Sequence, residues 1–448
     1  MMHPILEKFS LYSDRVSVID MDKEFTYSAL IENIKSKFDQ VSGAIPQNEV
    51  VILRAGYNFE SISLLFALAF NRNIIVPVTD IPEQEANLRR DISAATHEIT
   101  VSADGLDFRK LPEPNAKNPL IAQLTGRDHP GIILFSSGIT GEPKGMVHDL
   151  QHLLDSYLAK KSKSLSFLAL LLFDHIGGLN TMFTALFSGA RLIISPSRDP
   201  EMICQQCEKH RVNILPASPT MLNLILISGS YRHFDLSSVK IITYGTEPMP
   251  EGLLLKLNEA LPGTRFMQTY GTSETGISKM SSKSSTSLRV KFDDPDTQYK
   301  IVNGELWIKS ATTIMGYLNA PMDRFTEDGW FKTGDLVDMD EEGYLYFTGR
   351  NNEIINVGGL KVLPQEVESV LMKIPVVDNC VVYAEKSPIT GNIVAADIQL
   401  KKGTMENEAR QVIRDYCREN LDRYKIPVKI YFVEAVEFND RFKKIRKS

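Results

Sequence analysis

A glycine-rich segment carries the clearest chemistry in the chain: residues 136–145 read SSGITGEPKG. Glycine permits positive φ angles and lets backbone N–H groups come close to a ligand. The hydroxyl groups add hydrogen-bond donors and Lys144 adds a positive charge, so the segment suits a polyphosphate. It is not the GxxxxGK[ST] phosphate loop, because Gly145 follows Lys144. The alternative is a polar surface turn between a strand and a helix, and this segment alone leaves both possibilities open.

Three further polar segments follow the first: residues 244–248 (YGTEP), 270–275 (YGTSET) and 329–335 (GWFKTGD). The Glu274 carboxylate is the kind of oxygen ligand that Mg²⁺ prefers. The Asp335 carboxylate can accept two hydrogen bonds at once, and Arg350, fifteen residues later, offers a rigid fork of donors. Taken singly, the tyrosines also fit a core, Glu274 fits a solvated loop, and Asp335 with Arg350 fits a surface ion pair.

A histidine and a basic tail complete the set of candidates. His175 lies in FDHIGGL, residues 173–179, after an apolar run. A single histidine in such a place is more often a core residue with satisfied hydrogen bonds than a catalyst. The chain ends in FNDRFKKIRKS, with five cations between positions 441 and 447. A terminal run of this kind also fits a solvated tail.

Together, and in this order, the segments closely resemble the signature of the acyl-adenylate-forming superfamily, which contains acyl-CoA synthetases, peptide-synthetase adenylation domains and beetle luciferases. The resemblance extends from Ser136 to about Lys444. It implies an enzyme that uses ATP to convert a carboxylic acid into an acyl-adenylate, releases pyrophosphate and passes the acyl group to a thiol. Three positions depart from the usual pattern: Ile139 in place of a second Thr, Asn352 at the hinge and Lys443 in place of Gly.

The resemblance also implies an ATP site. Tyr270 would stack on the purine, Ser273 would donate to the α-phosphate, and Asp335 would bridge both ribose hydroxyls. Glu274 would hold Mg²⁺, and Phe347 would form an apolar wall against the nucleotide. The predicted ATP contacts are Ser136, Ser137, Gly138, Thr140, Gly141, Lys144, Gly245, Thr246, Glu247, Tyr270, Gly271, Ser273, Asp335, Phe347 and Arg350.

For the acid, the resemblance places His175 at the carboxylate site. Asp174 lies near the position where amino-acid-activating domains hold the substrate amine, but the His-x-Gly-Gly register favours synthetases of other acids. Lys444 would reach the α-phosphate and the attacking carboxylate, with Lys443 as the alternative, so the predicted catalytic residues are Lys444, His175 and Glu274. Candidate pocket liners, which favour an apolar aromatic or aliphatic acid, are His175, Leu179, Met182, Tyr244 and Ile277.

The thiol acceptor is predicted from the region after the hinge. Gly358 and Gly359 would let a pantetheine arm pass close to the backbone. The residues after Gly358 resemble free-standing acyl-CoA synthetases, so coenzyme A is the predicted co-substrate. A carrier protein ends in the same thiol, so a stand-alone loader of an acyl or peptidyl carrier protein is the alternative. The three unusual positions also leave a non-catalytic nucleotide-binding protein open.

Short apolar runs alternate with amphipathic stretches up to about residue 300, which predicts largely parallel sheets covered on both faces by helices. The predicted strands are 50–53, 74–78, 132–135, 165–173, 192–194, 241–242 and 344–347. The predicted helices are 57–70, 200–210, 364–372 and 407–420. Asn303-Gly304 predicts a two-residue hairpin turn. Residues 280–287, mostly Ser, Thr and Lys, predict a mobile loop outside the core.

These patterns and the resemblance predict an α/β fold. A large N-terminal domain of stacked, mostly parallel sheets with flanking helices and a small barrel-like subdomain would occupy residues 1–349. A small α+β C-terminal domain on a hinge would occupy residues 350–448. A chain of 448 residues is too long for one ordinary core, which also favours two or more domains.

Composition narrows the class of protein. Hydrophobic residues make up 43% of the chain and charged residues 24%, as in ordinary soluble proteins. The net charge of -6 gives no reason to expect nucleic acid or a membrane surface as a partner. Four cysteines, two of them in an isolated CxxC at Cys204 and Cys207, indicate a reducing compartment rather than a disulfide framework. With no signal peptide pattern and no long apolar run, we expect a cytoplasmic enzyme without a membrane span.

Overall fold

The computed structural model describes residues 3–102, 105–114, 118–136, 142–388, 390–439 and 444–447. Several predicted site residues lie outside the described residues, namely Ser137, Gly138, Thr140, Gly141 and the alternative lysine Lys443. No helix among the described residues is long and apolar enough to cross a membrane.

The helices of the structure include the four predicted ones, each with bounds within two residues of the prediction. Their bounds are α1 (Pro4–Ser10), α2 (Tyr27–Ala44), α3 (Phe59–Phe70), α4 (Glu83–Ser93), α5 (Pro119–Gly126), α6 (Leu150–Leu158), α7 (Ile176–Phe187), α8 (Pro200–Lys209), α9 (Pro219–Ser228), α10 (Glu251–Ala260), α11 (Pro364–Leu371) and α12 (Glu406–Asn420). Side-chain caps fix the first residues of several helices: Asn58 and Ser61 form a capping box on α3, and Asp199 caps α8.

The two cysteines of the CxxC segment are buried in α8, and burial raises the pKa of Cys204 to about 12.

The strands are short and numerous. Their bounds are β1 (Val16–Asp20), β2 (Lys23–Thr26), β3 (Val50–Arg54), β4 (Ile74–Val78), β5 (His97–Ser102), β6 (Gly105–Lys110), β7 (Gly131–Ser136), β8 (Lys144–Asp149), β9 (Ser166–Ala169), β10 (Arg191–Ile194), β11 (Ile214–Ala217), β12 (Ile241–Tyr244), β13 (Arg265–Gln268), β14 (Tyr270–Thr272), β15 (Gly276–Ser278), β16 (Met280–Ser282), β17 (Val290–Phe292), β18 (Thr297–Val302), β19 (Glu305–Ser310), β20 (Gly316–Tyr317), β21 (Phe331–Met339), β22 (Leu345–Arg350), β23 (Ile355–Val357), β24 (Leu360–Val362), β25 (Val377–Ser387), β26 (Gly391–Leu400) and β27 (Lys429–Phe432). The run 165–173, predicted as one strand, is a strand only at β9.

The chain divides into two compact units, of which the first comprises Met1–Pro216, Gly271–Ile277 and Lys309–Phe331. One sheet of this unit has the order β20-β8-β7-β4-β3-β5-β6, with parallel pairing from β7 through β5. A second set of strands, β11-β9-β10-β1, is also parallel, and β2 joins its edge in antiparallel orientation. The apolar runs of β3, β4 and β7 are buried on both faces, as strands of parallel sheets usually are.

The second unit comprises Ala217–Tyr270, Ser278–Ile308 and Lys332–Ser448. It contains the parallel pair β12-β13, a six-stranded sheet in the order β16-β17-β22-β21-β19-β18, the hairpin β23-β24 and a three-stranded sheet β25-β26-β27. The predicted Asn303-Gly304 turn is confirmed: both residues have positive φ, 52° and 80°, between β18 and β19. The predicted α/β class, with its additional antiparallel sheet and small C-terminal α+β region, is confirmed.

The loop prediction for residues 280–287 is wrong at its start. Met280–Ser282 forms β16, which pairs with β17, and Met280 is 5% exposed within the core of the six-stranded sheet. β16 is an edge strand, and its serine side chains are small enough to be accommodated there. The Ser-rich composition therefore predicted a loop where the structure has a strand.

Candidate active site

The two ends of the glycine-rich segment lie opposite each other on neighbouring strands. Ser136 ends β7 and Lys144 begins β8, and the two are register partners in an antiparallel pair. The segment therefore joins two strands, not a strand and a helix as the alternative reading supposed. Asn319 holds its far end: its amide nitrogen donates to the carbonyl of Pro143 and its amide oxygen accepts from the N–H of Gly145, both at 3.0 Å.

A tyrosine links the predicted phosphate lysine to the predicted metal ligand. The Tyr317 hydroxyl donates to Oε1 of Glu274 at 2.9 Å, and the Lys144 ammonium lies 6.0 Å from the centroid of the Tyr317 ring. Arg324 Nη1 lies 3.9 Å from the same Glu274 oxygen. Burial, and then the Glu274 charge, raise the pKa of Tyr317, so the hydroxyl stays protonated and can donate. These contacts fix the direction of the Glu274 carboxylate.

The side chains around Glu274 fit only some of the ways in which proteins bind Mg²⁺. In the described part of the chain, no group of three or more His, Cys, Asp or Glu side chains is placed to hold a metal ion. Mg²⁺ usually keeps several waters and is held by one or two carboxylates together with substrate phosphates. One oriented carboxylate, held by a tyrosine whose ring lies 6.0 Å from the predicted phosphate lysine, fits that mode of binding.

Asp335, the residue predicted to bind the ribose, is buried, and each of its two carboxylate oxygens accepts a hydrogen bond from the protein. Asp335 is 5% exposed; one of its carboxylate oxygens accepts from the Tyr270 hydroxyl at 2.6 Å and the other accepts from Arg350 Nε at 2.7 Å. Burial raises the pKa of Tyr270 well above its usual value, and the Asp335 charge raises that of Arg350. The Tyr270 ring stacks on Phe347, with centroids 4.9 Å apart. The structure thus brings four predicted ATP contacts into one cluster.

The predicted adenine turn after β12 is tightly constrained. A Cβ on Gly245 would lie 2.8 Å from the carbonyl oxygen of Thr269, so no larger residue fits there without movement. Thr246 has a φ of 70°, a conformation that is uncommon for a β-branched residue and is found where the surroundings enforce it. Glu247 accepts a hydrogen bond from the N–H of Thr220 at 2.7 Å.

One pocket collects residues from the adenine turn, the ribose cluster and the tail. Thr246, Glu247, Arg350 and Lys444 all line it. The Lys444 ammonium donates to the carbonyl of Cys380 at 2.7 Å and lies 3.9 Å from a carboxylate oxygen of Glu368. The tail lysine is therefore packed beside predicted nucleotide contacts and is not a solvated terminal residue.

The predicted acid and thiol residues have structural tasks of their own. His175 precedes α7 and its Nδ1 accepts from the N–H of Gly177 at 3.2 Å, which caps the helix. Leu179 and Met182, on the same helix, are fully buried. Gly359 has a φ of 90° in the turn between β23 and β24, a conformation that suits glycine.

Matches to known families extend over most of the chain. Residues 49–318 match the family described as "AMP-binding enzyme". Residues 366–443 match the family described as "AMP-binding enzyme C-terminal domain". The chain belongs to the AMP-binding enzyme family.

Relatives of this AMP-binding enzyme include named CoA ligases. The long-chain-fatty-acid–CoA ligase FadD13 of Mycobacterium tuberculosis is 30% identical over 361 residues, which cover 76% of this chain and 70% of that protein. The 2-succinylbenzoate–CoA ligase of Geobacillus kaustophilus is 26% identical over 479 residues, covering 98% and 95% of the two chains. The anthranilate CoA ligase AuaEII, in complex with anthranoyl-AMP, has a similar fold, with a TM-score of 0.82 at 20% identity over 99% of this chain and 95% of that one.

Sequence reasoning missed three residues at the site of this AMP-binding enzyme. Tyr317 ends β20 and Asn319 follows it two residues later, and both contact segments predicted to bind ATP. The only signal in the sequence was the pair of polar side chains, Tyr317 and Asn319, in the segment GYLN at 316–319. His148 was also missed; it is 2% exposed on β8 and lies near the backbone of Ser273, a predicted phosphate contact. Burial lowers the pKa of His148 to about 4.

Acidification is expected to destabilise this AMP-binding enzyme through His148. Its folded-state pKa, about 4, lies below the ordinary 6.5, so the unfolded chain binds the proton more readily. The contribution is fully present above pH 6.5 and is lost as the pH falls from 6.5 to 4, by up to roughly 3 kcal/mol. Urea unfolding of the wild type and of His148→Phe at several pH values in this window measures it. The variant should lack this part of the pH dependence, whereas His152→Phe, at an exposed histidine, should retain it.

Proposed function

We propose that this AMP-binding enzyme joins a carboxylic acid to coenzyme A, with an acyl-adenylate and pyrophosphate formed from ATP in the first step. The observation that carries the proposal is the pocket that Lys444 lines together with Thr246, Glu247 and Arg350. It puts a terminal cation beside residues predicted to contact the nucleotide. Named CoA ligases among the relatives support a thiol acceptor of the coenzyme A type.

The first step must bring two anions together, because the carboxylate of the acid attacks the α-phosphorus of ATP. Lys444 supplies a cation at the bond being formed, and Lys144 supplies one beside the phosphates. Preorganised charge of this kind stabilises a transition state by about 3 kcal/mol for each well-placed donor. Holding the acid and ATP in line removes much of the remaining entropic barrier. The chemistry requires no protein nucleophile.

We assign Glu274 as the protein ligand of the Mg²⁺ that accompanies ATP. The ion would reduce the negative charge on the phosphates and stabilise the departing pyrophosphate. Tyr317, which donates to Glu274, then acts as a positioning residue because it fixes the direction of the carboxylate.

The two half-reactions use two parts of the C-terminal domain, which we assign to residues 350–448, after a large domain of residues 1–349. Lys444 serves the first step. The turn at Gly359 serves the second, because a glycine without side chain leaves room for the pantetheine arm. Asn352, in the short turn after β22, is the proposed hinge residue, and asparagine tolerates the backbone changes that a hinge requires.

For the acid, we infer an apolar aromatic or aliphatic compound. The support is the position of His175 at the start of α7, followed on that helix by the apolar Leu179 and Met182. A carrier-protein thiol is the alternative acceptor, because it presents the same pantetheine group as coenzyme A.

Incubation with ATP, Mg²⁺, coenzyme A and a panel of aromatic and aliphatic acids is expected to release pyrophosphate only when a suitable acid is present. Mass spectrometry should then find the acyl-CoA. Replacing coenzyme A by a carrier protein that bears pantetheine is the discriminating control. Acylation of the carrier without any acyl-CoA would favour the carrier-protein loader, and a lack of acid-dependent pyrophosphate throughout would refute the enzymatic proposal.

A further inference from the structure

A buried ion pair lies in the first unit, between α4 and the segment that precedes α7. Arg89 Nη1, on α4, lies 3.2 Å from Oδ2 of Asp174, and the two side chains are only 6% and 3% exposed. Arg89 also pairs with Glu85 at 2.6 Å, and its guanidinium lies 5.4 Å from the ring centroid of Phe135. The pair therefore joins α4 to the segment just before α7.

The pair is incompletely satisfied. Within the described residues, Arg89 Nε, Asp174 Oδ1 and the Tyr57 hydroxyl are buried without a hydrogen-bond partner. Tyr57 lies close enough to Asp174 for that charge to raise its pKa further, after the larger effect of burial. Two buried charges with unpaired atoms usually stabilise a fold less than an apolar pair of the same volume. The stability of the fold alone therefore gives no reason to retain them.

The ion pair lies next to two segments that are predicted to bind substrate. Asp174 directly precedes His175, which caps α7 and is the proposed acid-site residue. Phe135, which packs under Arg89, directly precedes Ser136 at the start of the glycine-rich segment. The backbone next to the pair is tight, since a Cβ on Gly178 would lie 1.9 Å from the carbonyl oxygen of Leu172.

We propose that Arg89 and Asp174 are positioning residues for the acid: their ion pair holds the His175 segment in the place where the substrate carboxylate binds. The inference rests on the proposed adenylating function and deepens it. Arg89 also compensates the charge of Asp174, whose side chain is only 3% exposed, so this carboxylate does not serve as the receptor for a substrate ammonium group. The substrate class that follows is a carboxylic acid without an α-amino group.

The test separates positioning from stability. Arg89→Met leaves Asp174 as an uncompensated buried charge and is expected to lower the melting temperature, whereas the double variant Arg89→Met/Asp174→Leu removes both charges and should recover it. If the pair positions the acid segment, the double variant still shows an acid KM raised at least ~10-fold with an unchanged ATP KM, because small misplacements of a reacting group are costly. Arg89→Lys keeps the charge, so its acid KM should lie between that of the wild type and that of the double variant.

Arg90→Met is the matched control. Arg90 is on the same helix but pairs with Glu98 at 2.9 Å, so its loss should leave the acid KM unchanged. A double variant that regains both the wild-type melting temperature and the wild-type acid KM overturns the positioning role. A preference of the wild type for α-amino acids overturns the assigned substrate class. Absence of adenylation by the wild type with every acid would instead count against the proposed function itself.

Discussion

Replacing Lys444 by alanine is expected to slow acyl-adenylate formation at least ~100-fold while leaving acyl transfer from preformed acyl-adenylate to the thiol unchanged. A 100-fold loss corresponds to about 2.7 kcal/mol of transition-state stabilisation, which one well-placed charge can supply. The two half-reactions respond differently because only the first joins two anions. Single-turnover assays of pyrophosphate release, and separately of thioester formation from synthetic acyl-adenylate, measure the two rates.

The environment of Lys444 makes the prediction specific. Its side chain is only 10% exposed and its ammonium donates to the carbonyl of Cys380, so the proposed role requires it to exchange protein partners for substrate. Lys447 is the matched control: it lies three residues further along the tail, pairs with Asp397 at 2.6 Å, and its replacement by alanine should leave both rates unchanged. Equal losses in both half-reactions for Lys444→Ala would contradict the role. A selective loss with Lys443→Ala instead would transfer the role to the neighbouring lysine.

Replacing Asp335 by asparagine is expected to raise the KM for ATP by at least ~10-fold. Asparagine cannot offer two charged acceptor oxygens, so the contacts with Tyr270 and Arg350 and the proposed contact with the ribose hydroxyls are all weakened. Hydrogen bonds to charged groups contribute about 1.5–3 kcal/mol each, which corresponds to a factor of ten or more in binding. Steady-state kinetics with varied ATP at saturating acid measure the effect.

The same strand provides a control for Asp335. Asp338 is exposed on β21, so Asp338→Asn should leave the ATP KM unchanged. Tyr270→Phe removes one donor to Asp335 but keeps the ring that stacks on Phe347, and it should have a smaller effect than Asp335→Asn. An unchanged ATP KM in Asp335→Asn would show that this carboxylate is only a structural partner of Arg350.

Local patterns predicted the elements that are determined by nearby residues. The run IIVPV at 74–78 is β4 as predicted. A continuous apolar run of this length is typical of a parallel strand that is covered on both faces. The Asn303-Gly304 turn was predictable because few residue pairs adopt positive φ twice in succession. Helix α8 begins at Pro200 as predicted, after an Asp cap.

Contacts between distant residues could not be predicted in the same way. Tyr317 and Glu274 are 43 positions apart, and neither residue has a periodic pattern that indicates the other. The Arg89–Asp174 pair spans 85 positions, and an arginine in an amphipathic helix normally indicates an exposed face. β16 was missed because serines are uncommon in strands and its pairing with β17 compensates for their weak propensity.

In the proposed reaction the carboxylate of the acid attacks the α-phosphorus of ATP, and the fate of the carboxylate oxygens tests this step most directly. The acyl-adenylate bonds one of these oxygens to phosphorus, and attack of the thiol on the acyl carbon leaves that oxygen on AMP. With an acid labelled with ¹⁸O in its carboxylate, mass spectrometry should find one ¹⁸O in AMP for each acyl-CoA formed. Unlabelled AMP, or ADP accompanied by labelled inorganic phosphate, would contradict the account.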